Sequence, residues 1–472
     1  MHFIHFGCWN RGVCTPEGNN AISSVMRGLK KYVETTEVKP NFMIIAGDNY
    51  YANKRTEIRI KDGVEKEKKI KTLYPDNLRS GFQCLKNIPL DKYLLLGNHE
   101  LEETVDEILE GKINLDNNRN PIMPDTPDSR CVILKMQQRI ANSPDSRITM
   151  FNNVLHHYDE ASKTLIIMMD TTIYEIYAES IDPKAIAKGK AFTKGCYSET
   201  ELGKSSGESI KELLDFQEAQ ITKILEDNKT ETNHIIMVGH HPIMGVKRKI
   251  KEKKLKDGTI KKTEEDVMET SVGLINFIKN SARLGLFTDK SIHYLCADIH
   301  LYQQGQITIP LDDDNTQLIN QYIVGTGGAE LDNLSIIKAA IYEDKANNNY
   351  NIKYIANEDI KTNGFLVCDV TLENIKCKFQ EVKAVTQNAE AYTKPASTPA
   401  EATEAVAAST VASSTATNQS ATNQSAGTRR KIKYNKKSNK KSNKKSNKKS
   451  NKKSNKKSNK KSNNKIKKII LS

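Results

Sequence analysis

The sequence predicts an α/β fold, on the basis of two observations. Short apolar runs recur along the first 383 residues, and amphipathic stretches with apolar residues at helical spacing separate several of them. Such alternation of strands and helices is typical of α/β domains. In addition, four of the apolar runs stop at glycine or alanine and are followed by Asp, Asn or His. Polar residues at that position are typical of buried strands that end at a functional edge.

The predicted strands and helices follow one another through the first 383 residues. Strands are predicted at residues 2–6, 41–46, 93–96, 148–151, 164–169, 234–238, 292–296, 320–324, 352–355 and 365–370. Helices are predicted at residues 21–33, 78–85 and 209–226, where apolar residues recur on one face. Residues 54–71 are classed only as a charged segment, and the polar stretch 113–130 is predicted to be a loop.

A lysine-rich run at residues 246–262 follows the apolar run 234–238 and the histidines after it. Asp257-Gly258 lies between its two alternating stretches and predicts a hairpin turn. The lysines either attract a polyanionic substrate toward a neighbouring site or form an ordinary solvated surface.

Four short blocks at strand ends carry the candidate chemistry. They are Gly47-Asp48-Asn49-Tyr50-Tyr51, Gly97-Asn98-His99-Glu100, Gly239-His240-His241-Pro242 and Ala297-Asp298-Ile299-His300. Carboxylate, amide and imidazole groups are ligands for divalent metal ions. The blocks therefore predict a metal site at the C-terminal tips of the strands.

These residue types suit the hydrolysis of a phosphoester. The substrate is anionic, so the reaction needs charge neutralisation, an activated water and a protonated leaving group, and two divalent ions ~3.5–4 Å apart supply the first two. Asp48 is the candidate bridge between the ions because a carboxylate has two oxygens. Asn98 offers an amide oxygen, and His240 and His300 offer imidazole nitrogens. His99 is the candidate to orient the phosphate and protonate the leaving oxygen.

The four blocks resemble the motifs of calcineurin-like metallophosphoesterases, most closely those of the purple acid phosphatase-like branch. Residues 1–10 would supply the first strand and first motif. The resemblance implies a metallophosphoesterase-type four-layer αββα sandwich over residues 1–383. It also implies a phosphate-ester substrate, two divalent ions (Fe, Zn or Mn) and direct attack on phosphorus by a water or hydroxide that the ions activate.

By the same resemblance, the ligands form two sets that share Asp48. One ion would be held by Cys8, Asp48, Tyr51 and His300, and the other by Asp48, Asn98, His240 and Asp298. Asn98 and His99 would also contact the substrate. His241 either acts in catalysis from the substrate side or caps a strand.

Two positions depart from the family pattern. Cys8 stands where an aspartate is expected, and Asp298 stands where the first histidine of a GHxH motif is expected. Cys8 either ligates as a thiolate, which favours zinc or iron, or is a buried thiol that leaves its metal position weak. Asp298 either binds a harder ion such as manganese or is a surface carboxylate. Tyr51 is either a phenolate ligand or an aromatic residue beside the pocket.

A second functional class is therefore kept beside the enzyme. A metallophosphoesterase fold that lost turnover through the changes at Cys8 and Asp298 would act as a binding protein, tethered to polyanions by a basic tail. Five retained residues favour the enzyme, because a site without turnover has no need of all five. They are Asp48, Asn98, His99, His240 and His300.

The C-terminal residues differ sharply from the rest in composition. Residues 384–427 are rich in Ala, Ser and Thr and predict a disordered linker. Residues 428–472 contain 21 Lys or Arg and no Asp or Glu, mostly within seven Lys-Lys-Ser-Asn repeats, and predict a disordered tail. Without these cations the net charge of +14 becomes −7 for the remaining chain. The tail either binds nucleic acid or another polyanion or affects only solubility.

Cysteine spacing and hydropathy indicate the cellular compartment of the protein. The eight cysteines contain no C-x-x-C pair, which predicts reduced thiols and not a disulfide framework. The first residues enter a strand directly, so no signal peptide is predicted, and no apolar stretch reaches the ~18 residues of a membrane span. These features predict a soluble intracellular protein and leave its oligomeric state open.

Overall fold

A computed structural model describes the chain in twelve segments. They are residues 1–61, 64–72, 75–101, 131–143, 145–151, 154–183, 210–254, 260–312, 315–332, 341–344, 350–355 and 362–383. Four predictions fall outside these residues: the loop at 113–130, the turn at Asp257-Gly258, the linker at 384–427 and the tail at 428–472. The domain boundary at residue 383 stays a prediction.

The described residues form strands interspersed with helices up to residue 283, and strands only after it. The strands are β1 His2–Phe6, β2 Phe42–Ile45, β3 Asn53–Lys61, β4 Val64–Thr72, β5 Asp91–Leu94, β6 Ile148–Met150, β7 Leu155–Asp159, β8 Thr164–Met168, β9 His234–Val238, β10 Met244–Lys254, β11 Ile260–Thr270, β12 Ser291–Cys296, β13 Tyr302–Pro310, β14 Thr316–Val324, β15 Ile341–Asp344, β16 Tyr350–Tyr354, β17 Gly364–Val370 and β18 Ile375–Glu381. The helices are α1 Ala21–Thr35, α2 Pro75–Lys86, α3 Asn98–Leu101, α4 Cys131–Ala141, α5 Thr172–Ser180, α6 Ile210–Asp227 and α7 Val272–Arg283. Across these described helices, none combines the length and the hydropathy needed to cross a bilayer.

Two large mixed sheets and two hairpins contain the strands of the described residues. One sheet has the order β18-β17-β1-β2-β5-β6, and the other has the order β15-β16-β13-β14-β12-β9-β8-β7. Strands β1, β2, β5 and β6 are parallel to one another, as are β8, β9, β12 and β14. Parallel neighbours end at the same edge of a sheet. The tips of β1, β2 and β5 therefore lie together, and so do the tips of β9 and β12.

The parallel strands form the centre of the hydrophobic core. Every residue of β1, β2, β8 and β9 is buried, which matches their nearly continuous apolar sequences. One cluster of buried apolar side chains includes residues from both large sheets and from α1, α2, α6 and α7. The predicted α/β class is confirmed. The four-layer αββα arrangement stays a prediction.

Most strands and helices that were predicted in the described residues are present, with ends shifted by a few residues. The hairpin predicted in the lysine-rich run is also present, as β10 paired antiparallel with β11. The charged segment at 54–71 proved to be part of a second hairpin, β3–β4. The strands were not predicted, because Lys and Glu are abundant in this segment and are depleted in sheets generally.

Two disulfides correct the prediction of reduced thiols. Cys14 bonds to Cys84, and Cys368 bonds to Cys377. The first pair is separated by 70 residues, so spacing gave no signal of it, and the second pair is brought together by the β17–β18 register. Disulfides persist mainly in oxidising compartments, so they weigh against the predicted intracellular location. The free cysteines in the described residues are Cys8 and Cys296, both buried.

Candidate metal centre

Three predicted ligands have left-handed backbone conformations immediately after strands. The φ angles are 53° at Cys8, 52° at Asp48 and 60° at Asp298. Residues other than glycine seldom adopt this conformation. It costs on the order of 1–3 kcal/mol per residue and occurs preferentially at functional sites. The turns occur just after β1, β2 and β12, where the chain leaves each sheet and the predicted ligands converge.

Glycines allow the strand tips to approach one another closely. Gly47 has a φ of +76°, and a Cβ on it would lie 2.6 Å from the backbone nitrogen of Gly97. A Cβ on Gly97 would lie 2.4 Å from Asp48 Oδ1 and 2.9 Å from His240 Cε1. A side chain at either position would force the ligand-bearing segments apart.

The Asp48 carboxylate lies at the centre of the predicted residues. Its Oδ2 is 3.0 Å from the Tyr51 hydroxyl and 3.8 Å from Cys8 Sγ. Its Oδ1 is 3.3 Å from His240 Nε2 and accepts the backbone N–H of His99 at 3.1 Å. The two oxygens thus face different sets of side chains, as the predicted bridging role requires.

We call the residues on the Oδ2 side the Cys8 group: Cys8, Asp48, Tyr51 and His300. Ligand atoms of Cys8, Asp48 and His300 lie within 4.8 Å of one another. The Tyr51 hydroxyl lies 3.1 Å from His300 Nε2. His300 Nδ1 is 2.8 Å from the Glu330 carbonyl oxygen, to which it can only donate, so Nε2 presents a lone pair to the group.

We call the residues on the Oδ1 side the His240 group: Asp48, Asn98, His240 and Asp298. His240 Nδ1 donates to the Ala46 carbonyl at 2.6 Å, which leaves the Nε2 lone pair free to accept. That nitrogen lies 3.2 Å from Asn98 Oδ1 and 3.9 Å from Asp298 Oδ1, in addition to its contact with Asp48. Four acceptor atoms therefore converge, and a divalent cation fits the chemistry of this donor set.

His241 makes a different set of contacts from His240. The Thr171 hydroxyl oxygen accepts the backbone N–H groups of His240 and His241, each at 2.9 Å. Both lone pairs are then occupied, so the hydroxyl donates its proton to His241 Nδ1 at 3.2 Å. This leaves the proton on Nε2. His241 also belongs to a cluster with His240 and Asp298 whose ligand atoms lie within 4.8 Å.

His99 lies next to both groups and is more accessible than His240. Its side chain is 28 % exposed, whereas that of His240 is fully buried. Its ring packs against the Tyr51 ring with centroids 4.3 Å apart, and Nε2 lies 3.9 Å from Asp48 Oδ2. All nine predicted site residues are therefore brought together.

Glu100 is a positioning residue that sequence reasoning missed. It is fully buried, and its carboxylate accepts the backbone N–H groups of Gly97 at 2.7 Å, Asp48 at 3.0 Å and Asn49 at 2.8 Å. It also accepts the Gln137 side-chain amide at 3.0 Å. The carboxylate thus ties the tip of β2 to the tip of β5. Its place directly after Asn98-His99 was visible in the sequence, but its inward orientation was not.

Lys247 is a second residue that was missed. Its ammonium lies 3.7 Å from Asp298 Oδ2 and 3.6 Å from Glu269 Oε2. In the sequence it is one lysine among many in the run 246–262, so nothing distinguished it there.

Electrostatics separate the two groups. Burial alone would raise the pKa of Asp48, but the imidazoles of His240 and His99 hold it well below its usual value. Burial would likewise raise the pKa of Asp298, which Lys247 lowers instead. In contrast, burial and the Asp48 charge raise the pKa of Cys8 and Tyr51 well above their usual values. Without a metal, the Cys8 group keeps its protons and the carboxylates are ionised.

No protein-family model matches this sequence, and no curated protein matches it.

Proposed function

We propose that the protein is a metal-dependent phosphoesterase of the calcineurin-like metallophosphoesterase type. The observation that carries the proposal is the convergence of acceptor atoms at His240 Nε2. One imidazole lone pair, one amide oxygen and two carboxylate oxygens face one another there. Acceptors repel one another in a buried site, so a cation among them stabilises the arrangement.

Divalent ions at this site would neutralise the substrate phosphate and lower the pKa of a water. The His240 group would hold one ion through Asn98, His240 and the Asp298 carboxylate. The Cys8 group would hold a second, and Asp48 would bridge the two. Zinc, iron or manganese all suit these ligands, since they combine carboxylate, imidazole and thiol.

His99 is suited to the substrate-side role. It is partly exposed beside the buried Asp48 carboxylate, and its imidazole packs against the Tyr51 ring. A general acid must reach the leaving oxygen within hydrogen-bonding distance. His99 would bind the phosphate and donate a proton to that oxygen.

His241 would act as a neutral hydrogen-bond donor. Burial, followed by the effect of His240, lowers the pKa of His241 to about 4, so it is uncharged at neutral pH. Thr171 leaves its proton on Nε2, as described above. A cavity of about 230 Å³ is lined by His241, Asp298 and Glu269. His241 would orient a substrate oxygen there and would not serve as a ligand.

A direct test is hydrolysis of a chromogenic phosphate ester with added manganese. Asp48→Asn removes the charge that both ions share and should lower the rate on the order of 10³-fold, since such charge stabilisation is worth several kcal/mol. Asp145→Asn is the matched control: Asp145 also has a positive φ of 62°, but it is exposed. Equal rates for wild type and Asp48→Asn would contradict the proposal.

The second candidate, a binding protein without turnover, is favoured by one observation. Cys8 is a fully buried thiol whose pKa is raised, in a position where the family pattern has a carboxylate. If the Cys8 group binds no ion, only one cation remains to activate the reaction. Manganese binding without measurable hydrolysis would support this candidate over the enzyme.

The basic tail is proposed as a polyanion tether independent of the metal site. Its 21 cations in residues 428–472 should give binding whose affinity falls steeply with salt. Deleting residues 428–472 should abolish retention on immobilised DNA at low salt and leave ester hydrolysis unchanged. Loss of hydrolysis in the deleted protein would contradict this separation of roles.

A further inference from the structure

Lys247 contacts the metal centre from outside the ligand set. It lies on β10, the strand that begins two residues after Pro242. Its side chain is 32 % exposed, and its ammonium lies between the carboxylates of Asp298 at 3.7 Å and Glu269 at 3.6 Å. Neither the phosphoesterase proposal nor the sequence gives this lysine a role.

The two oxygens of Asp298 have different neighbours. Oδ1 lies 3.9 Å from His240 Nε2, on the side of the His240 group. Oδ2 lies 3.7 Å from Lys247 Nζ. The salt bridge therefore leaves one carboxylate oxygen available for a metal ion. Ligating carboxylates are commonly held by such a partner on their second oxygen.

The contact also affects the net charge of the site. The resemblance places a neutral imidazole at position 298, whereas Asp298 adds a negative charge beside the buried Asp48 carboxylate. Two carboxylates in one buried site repel each other and favour protonation of one of them. The Lys247 ammonium, which Glu269 shares, offsets the additional charge. The Asp298–Lys247 pair by itself has zero net charge, as one neutral imidazole has.

We propose that Lys247 is a positioning residue for the metal centre: it orients Asp298 through Oδ2 and compensates its charge, so the Asp298–Lys247 pair replaces one histidine ligand. The inference rests on the proposed metal site and does not require phosphoesterase turnover. Glu269 shares the same ammonium and limits its movement.

The test is a charge-exchange cycle with Zn²⁺ as the probe, because zinc accepts both carboxylate and imidazole ligands. Zinc affinity is measured by calorimetry on the full chain without substrate. Lys247→Met should weaken binding by about 10–100-fold, as removal of a ligand's supporting partner does. Asp298→His alone should also weaken it, because the Lys247 ammonium then lies beside the ion without the Asp298 charge that offset it. The double variant Asp298→His/Lys247→Met should return to within about threefold of wild type.

Two controls isolate the effect of position. Lys254→Met removes the same charge from the other end of β10 and should leave zinc affinity unchanged. Lys247→Arg keeps the charge and should retain binding within a few-fold. Circular dichroism on every variant separates unfolding from a loss of affinity.

Three results would overturn the inference. Wild-type affinity in Lys247→Met would remove its role, and tighter binding would mean that the ammonium competes with the ion. If the zinc affinity of the double variant falls by the product of the two single-variant losses, the two residues act separately. These outcomes leave the proposed function intact, whereas absence of zinc binding in the wild type would overturn both.

Discussion

The Cys8 group and the His240 group share the Asp48 carboxylate but differ in the protons that they hold. In the His240 group, Nε2 of His240 faces only acceptor oxygens, and the Ala46 carbonyl fixes its tautomer. In the Cys8 group, a thiol and a phenol lie within 3.8 Å and 3.0 Å of Asp48 Oδ2, and each keeps its proton.

This difference predicts an order of metal binding. Ligands must be deprotonated before they coordinate, so a metal ion competes with protons in the Cys8 group. The His240 group needs no such loss at its carboxylates, because the pKa of Asp48 and that of Asp298 are both held below the usual value. We therefore expect the His240 group to bind first and the Cys8 group to bind more weakly at neutral pH.

The largest expected effect concerns a residue that serves neither group as a ligand. His99→Ala should lower kcat by about 10²–10⁴-fold, the usual contribution of a general acid, while metal content stays unchanged. His156→Ala removes an exposed histidine on β7 and is the control for the substitution itself. Steady-state kinetics with elemental analysis of the same samples makes the measurement. A loss of metal in His99→Ala would place His99 among the ligands instead.

The next effect tests how the two strand tips are held. Each oxygen of the Glu100 carboxylate accepts two N–H groups. Glu100→Gln would replace one of these oxygens with an NH₂ group, which cannot accept, so two buried hydrogen bonds are lost. At ~1–3 kcal/mol for each unsatisfied group, the free energy of unfolding should fall by about 3 kcal/mol. Glu34→Gln, on the exposed face of α1, should change it little. Urea denaturation provides both values, and equal stabilities would mean that Glu100 does not join the tips.

A smaller effect tests the Cys8 group directly. Cys8→Asp replaces a protonated thiol with a carboxylate, and aspartate tolerates the positive φ at this position. Burial and the Asp48 charge raise the pKa of Cys8, so an ion must displace the thiol proton at neutral pH. The substitution should therefore strengthen binding of the second ion on the order of 10²-fold.

The affinity for the second ion should also depend on pH. Because the pKa of Cys8 is raised, the wild type should bind the second ion more tightly as pH rises, by up to about tenfold per unit below that pKa. Cys8→Asp should have a weaker pH dependence between pH 6 and 9, because the thiol proton no longer has to be displaced and only that of the Tyr51 phenol remains. A wild-type affinity that does not change with pH would mean that Cys8 is not a ligand.

The sequence was sufficient for the parts of the site that depend on strand ends. Asp48, Asn98, His240 and Asp298 each follow an apolar run. Parallel strands bring the first two to an edge of one sheet and the last two to an edge of the other. Residues without that signal were missed. Glu100 acts through its inward orientation, and Lys247 is one lysine of a long run.

The fold shows the same division between local and distant signals. Apolar strands and amphipathic helices such as α1 and α6 were predicted, because their patterns are local. The charged hairpin β3–β4 was missed because its strands lack apolar alternation. The Cys14–Cys84 disulfide was missed because only the tertiary structure brings the two residues together.

The most direct test of the central claim is anomalous diffraction from crystals of the full chain soaked in Mn²⁺ or Zn²⁺ at neutral pH. The account predicts an anomalous peak about 2.0–2.2 Å from His240 Nε2 and from an Asp48 oxygen, with a second, weaker peak beside His300. Ions found only on surface carboxylates, with none within coordination distance of both His240 and Asp48, would contradict it.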